Sequence, residues 1–148
     1  MRSVCLPAYR YMPEAIRENG MDAAATILVI EDQEFTERVI RAALRERPFQ
    51  VFSTPNGEEG LERLRELRPD LLLLDLSLPG IDGWDVLDEM RQDPDLASVP
   101  VIIVSAQGRA AVEARARDYD VSAHINKPFR VPELRQAIDM VLGASEIA

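Results

Sequence analysis

The chain has 148 residues, 47% of them hydrophobic, with only 7 Gly and 10 Pro, which suits one domain with a sizeable core and excludes a disordered or fibrous chain. Its 26 acidic residues against 17 basic leave a net charge of −9, which argues against a general basic surface for nucleic acid or anionic membrane, because such binding neutralises phosphates. No run approaches the roughly 18 apolar residues of a membrane span, and the single cysteine, Cys5, allows neither an internal disulfide nor a cysteine metal cluster, so a reducing compartment fits.

Residues 1–25 carry Arg2, Arg10 and Arg17 against Glu14, Glu18 and Asp22, so the whole net charge falls on residues 26–148 and a boundary lies between the two stretches. The apolar patch Val4 to Leu6 is broken by Pro7 and Arg10 before it reaches the ~7 to 15 residues of a signal-peptide core. Pro13 and Gly20 bracket one short helix, marginal by itself. A flexible tail, or initiation at Met21, fits the same residues.

From Thr26 onward short apolar runs alternate with longer amphipathic stretches. Thr26 to Ile30 is apolar at its centre and β-branched at all but Leu28, the pattern of a strand buried on both faces, and ends in Glu31-Asp32. Residues 34–47 place Phe35, Val39, Ile40, Ala43 and Leu44 at helical spacing before Pro48. The unit repeats with strands over 50–53, 70–75, 101–105 and 122–126 and helices over 57–68, 83–92, 108–118 and 131–142. Five strands alternating with five helices predict an α/β domain, a parallel sheet covered by helices on both faces.

Chemistry gathers at the carboxyl ends of these strands: Glu31 and Asp32 after the first, Asp75 after the third, Ser105 on the fourth and Lys127 after the fifth. In open α/β sheets this edge is where ligands bind. Clustered carboxylates repel one another unless a cation is present, and an all-oxygen donor set selects a hard one, Mg²⁺ or Mn²⁺. The amine adds a point charge suited to a phosphoryl oxygen. It belongs to the only lysine among the 17 basic residues.

Glu31-Asp32, Asp75 followed by Leu78-Pro79-Gly80-Ile81-Asp82-Gly83-Trp84, Ser105-Ala106 and Lys127-Pro128-Phe129, in this order, resemble the receiver domain of two-component response regulators over about residues 26–143. The resemblance implies a flavodoxin-like, doubly wound five-stranded sheet with strand order 2-1-3-4-5. It implies that Asp75 accepts a phosphoryl group from a phosphohistidine donor, a sensor histidine kinase or a histidine phosphotransfer protein. Glu31, Asp32, Asp75 and the backbone carbonyl of Ser77 would hold the metal. Ser105, with Ala106 beside it, and Lys127 would bind the phosphoryl group and rearrange the fourth and fifth strands.

Where many relatives have Tyr or Phe three residues before the lysine, this chain has His124, its only histidine; a ring titrating near neutral pH could couple signalling to acidity, and a surface residue is the simpler reading. Ser77 and Gln107 are expected to influence loss of the phosphoryl group. Arg109, Arg115, Arg117, Arg130 and Arg135 mark the face of the fourth helix, fifth strand and fifth helix as a candidate basic patch for an acidic protein partner. The expected protein is a cytoplasmic single-domain regulator spanning 26–148, with no output domain, no enzymatic turnover of other substrates, no nucleic-acid or membrane partner, and a homodimer left open. A relay or phosphate sink and a phosphorylation-independent adaptor are the alternatives within this class. A Mg²⁺-dependent aspartyl phosphohydrolase fits less well, since it would place a second acid where Ser77 stands.

Overall fold

A computed structural model describes residues 24–143; the expected helix over 13–20 and the rest of the N-terminal stretch lie outside the described residues. Five strands form one parallel sheet in the order β2-β1-β3-β4-β5. They are β1 (Ala25–Ile30), β2 (Phe49–Thr54), β3 (Leu71–Leu74), β4 (Val101–Ser105) and β5 (Ala123–Asn126). The helices are α1 (Glu34–Ala43), α2 (Gly57–Leu67), α3 (Gly83–Gln92), α4 (Arg109–Ala116) and α5 (Val131–Ile138). This is the flavodoxin-like arrangement that the resemblance implies.

The alternation of side chains along each strand divides the core in two. Ile27, Val29, Leu71, Leu73, Ile102, Val104 and Ile125 pack with Ile40, Ala43 and Leu44 of the α1 end and Leu134 and Ile138 of α5. Leu28, Ile30, Leu72, Leu74, Val101 and Ile103 face the other way, against Leu61 and Leu64 of α2, Trp84, Leu87 and Met90 of α3, and Val112 and Ala116 of α4. Burial on both sides explains why β3 is four consecutive leucines, all buried. No helix among the described residues is long and apolar enough to cross a membrane.

Three helices end earlier than their apolar spacing suggests. α1 stops at Ala43, where the chain tightens through Leu44 N–H to Arg41 and Arg45 N–H to Ala42 bonds before Pro48. α4 gives way at Arg117 to a 3₁₀ turn, Arg117–Tyr119, that ends with Asp120 in the left-handed region at φ 57°. α5 passes after Ile138 into a π-helical turn, Asp139–Gly143. The α4 break has a tertiary cause. Arg91 of α3 donates to the carbonyls of Tyr119 (2.7 Å) and Asp120 (3.3 Å), and also to Ala97 and Val99, satisfying a bend that a continuous helix would not present.

Candidate phosphoryl-transfer site

The ladder continues one residue past three strands and sets the height of the site. Glu31 N–H donates to Thr54 O (3.0 Å), Asp75 N–H to Ile30 O (3.0 Å) and Lys127 N–H to Ser105 O (2.9 Å). Each edge side chain is then bent back by the amide two residues on: Gln33 N–H donates to Glu31 Oε2 (3.1 Å), Ser77 N–H to Asp75 Oδ1 (3.1 Å) and Gln107 N–H to Ser105 Oγ (2.9 Å). These local bonds compete with further strand and free each chain to turn toward its helix.

The first turn of α3 approaches the end of β3 closely because Gly83 lacks a side chain. A Cβ there would stand 2.6 Å from the Asp75 carbonyl oxygen and 2.7 Å from Leu76 Cα, and Gly83 N–H donates to Leu76 O at 2.9 Å. Asp82 caps α3, accepting from Asp85 N–H while Asp85 accepts from Asp82 N–H.

The structure brings Glu31, Asp32 and Asp75 together, with carboxylate oxygens all within 4.8 Å of one another. Glu31 and Asp75 are each only 4% exposed and Ser105 is wholly buried. Lys127 Nζ lies between them, 2.9 and 3.1 Å from the two oxygens of Glu31 and 3.2 Å from Asp75 Oδ2. The lysine thus holds both buried carboxylates at once. The side chain of Glu31, one methylene longer than an Asp, presents both oxygens to it.

One ammonium faces three carboxylates. Burial pushes the Glu31 carboxyl up to about 7, the bond from Lys127 opposes this, and the charge of Asp75 adds to it. Asp32 is exposed and makes no side-chain hydrogen bond or ion pair among the described residues. Excess negative charge, an open carboxylate and oxygen-only donors fit a hard divalent cation.

Ser77, Ala106 and Gln107 are exposed at the mouth, where Gln107 Nε2 donates to Ser77 Oγ at 3.3 Å. Ser105 accepts its bond within the β4–α4 loop and does not cap α4, whose N-cap is Gly108. His124 lies beneath α4, beside a cleft of about 460 Å³ lined by Glu113, Arg117 and Asp120. Both ring nitrogens are buried without a hydrogen-bond partner among the described residues, and burial, with Arg109 nearby, pushes the imidazole below its ordinary value despite Glu113.

Three of the five arginines are engaged by other groups. Arg115 lies over the Trp84 ring, 4.5 Å from its centroid, Arg135 donates to Ala43 O at the end of α1, and Arg109 pairs with Glu113 at 3.2 Å. Arg109, Arg115, Arg117 and Arg130 are all exposed.

A model of the response regulator receiver domain matches residues 27–139. The polar-differentiation response regulator DivK of Brucella anthropi is 34% identical over 118 residues, 80% of this chain and 96% of the relative. The phosphorylated cyanobacterial phytochrome response regulator RcpA is similar at a TM-score of 0.68 and 32% identity, over 84% of this chain and 93% of that one. A DNA-binding response regulator of the LuxR family from Staphylococcus aureus gives a TM-score of 0.71 at 28% identity, over 79% and 98% of the two chains.

Proposed function

The chain belongs to the response regulator receiver family, and from that premise we propose that Asp75 accepts a phosphoryl group from the phosphohistidine of a sensor kinase or phosphotransfer protein, and that the product alters partner binding through β4 and β5. The observation that carries the reading is the Asp75 carboxylate, buried at the end of β3, with one oxygen on Lys127 Nζ and the other held by Ser77 N–H. A solvated turn acid shares the bond from the amide two residues on, as Asp93 does with Asp95 N–H, but has neither the burial nor the lysine.

In the transfer, an Asp75 carboxylate oxygen attacks phosphorus as the N–P bond breaks, and the electron pair leaves on the imidazole nitrogen, which takes a proton from solvent. Asp32, Asp75, the Ser77 carbonyl and, through water, Glu31 would hold Mg²⁺ or Mn²⁺. A cation there supplies charge neutralisation between two anionic reactants and in the transition state. Lys127 steadies the carboxylate before transfer and a phosphoryl oxygen afterwards, while Glu31 remains as its second anchor. The Ser105 hydroxyl, with its proton free to donate, turns toward the phosphoryl group, and breaking its bond from Gln107 N–H releases the β4–α4 loop. The chain acts in this way only on its own carboxylate.

Incubation with acetyl phosphate and Mg²⁺ tests the reading. Intact mass is expected to rise by one phosphoryl group in the native protein and to stay unchanged in Asp75→Asn. No gain with any small donor favours the adaptor, and sustained phosphate release from unrelated monoesters favours a hydrolase.

A further inference from the structure

The loop between β3 and α3 carries Ser77 and must hold its shape for the site to stay assembled. Its two ends are tied to the sheet and to α3, by Ser77 N–H on Asp75 Oδ1 and by Gly83 N–H on Leu76 O. Its middle is tied to a different element. Glu58, on the first turn of α2, accepts from Ile81 N–H through Oε2 at 3.4 Å. The same carboxylate stands over Gly80, which sits at φ +75°: a Cβ on Gly80 would come within 2.8 Å of Oε2 and 3.2 Å of Oε1. Beside it, Gly57 leaves room for the Ile81 side chain, which would lie 2.6 Å from a Cβ on Gly57. Two glycines and one carboxylate thus let the turn after the acceptor strand bear on the N-terminus of α2.

We propose that Glu58 is a positioning residue for the phosphoryl-transfer site: it fixes the Gly80–Ile81 turn and through it the Ser77 backbone. The proposal rests on the reading of the Asp75 pocket as the metal-dependent acceptor. Glu58 touches neither the donor nor Asp75, so its effect falls on cation affinity rather than on the rate of the loaded site. A competing role is purely helical, since an acid in the first turn favours the α2 dipole. The two roles separate by substitution. Glu58→Gln keeps an oxygen that accepts from Ile81 N–H and loses the charge; Glu58→Ala loses both.

The experiment uses the full chain and three readouts: amide exchange at Ile81, calorimetric titration with Mg²⁺, and the Mg²⁺ dependence of phosphorylation by acetyl phosphate. Glu58→Ala is expected to speed exchange at Ile81 and to weaken Mg²⁺ binding about three- to tenfold, the range for one lost hydrogen bond, with little change in the rate at saturating Mg²⁺. Glu58→Gln is expected to stay close to the native protein in all three. Equal Mg²⁺ affinity in the Ala variant and the native protein, or equal losses in Ala and Gln, would overturn the proposal. Native protein that binds Mg²⁺ but never gains a phosphoryl group would overturn the acceptor reading instead, while the titration still judges Glu58.

Discussion

At the scale of single residues, Glu31 is the most exposed to pH. Its folded carboxyl titrates near 7 against an ordinary 4.5, so between these values the folded protein holds a proton that the unfolded chain has lost. Stability of the metal-free protein therefore falls as pH rises from about 4.5 to 7, and Mg²⁺ affinity rises as the proton leaves. Glu31→Gln, which mimics the protonated form, is expected to melt higher than the native protein at pH 8 without metal and to match it near pH 5; a variant melting lower at pH 8 contradicts this. Lys127 carries a different burden under the proposed function, which has it pass from Asp75 to a phosphoryl oxygen. Lys127→Arg is expected to fold normally yet to lose the phosphorylation-induced change in amide exchange along β4 and α4, since a rigid planar fork does not replace a compact ammonium held by three oxygens. A native-sized change in the variant counts against the exchange. His124 sits below its ordinary value of 6.5 in the present packing. Proton resonances of its ring are expected to titrate below 6.5, which places any acid response under neutral pH and not across it; a midpoint above 6.5 contradicts this.

At the scale of elements, the geometry depends on how closely helices approach the carboxyl edge. Gly83→Ala places a methyl group where only 2.6 Å separates it from the Asp75 carbonyl oxygen. The expected cost is about 1–3 kcal/mol in urea unfolding, with slower phosphorylation because the acceptor strand itself must shift. An Ala variant with native stability and rate would show that α3 can retreat without moving Asp75. Strands and their order of chemistry were legible because runs such as Leu71 to Leu74 are apolar on both faces and each ends in a polar group. Helix ends were less so. The stop at Ala116 depends on Arg91 reaching from α3 to the carbonyls of Tyr119 and Asp120, a contact between elements that periodicity along one helix does not encode. The partners of the α4–α5 arginines are hidden for the same reason: Arg115 lies over Trp84 and Arg135 on the Ala43 carbonyl, both distant in sequence.

At the scale of the whole molecule, the sheet order puts β1 and β3 side by side at the centre, so Glu31, Asp32 and Asp75 leave the sheet from adjacent strands. Lys127 reaches them from the edge strand β5, past β4. The identities of these groups were readable in the sequence; that Lys127 binds Glu31 as closely as Asp75 was not, since it depends on side-chain length across three strands. The net charge of −9 gains a physical reading here: part of it is concentrated in a pocket where two buried carboxylates share a single ammonium and an exposed third, Asp32, stands beside them. Excess negative charge of this kind suits a hard cation, as the proposed function requires.

The central claim concerns one atom group, the Asp75 carboxylate, and is tested by chemical marking. After incubation with acetyl phosphate and Mg²⁺, borohydride reduces an acyl phosphate to the alcohol, converting the modified aspartate to homoserine. Peptide sequencing is expected to find homoserine at position 75 and at no other acid. Homoserine at Asp32 or elsewhere, or none despite a measured mass gain, would contradict the assignment.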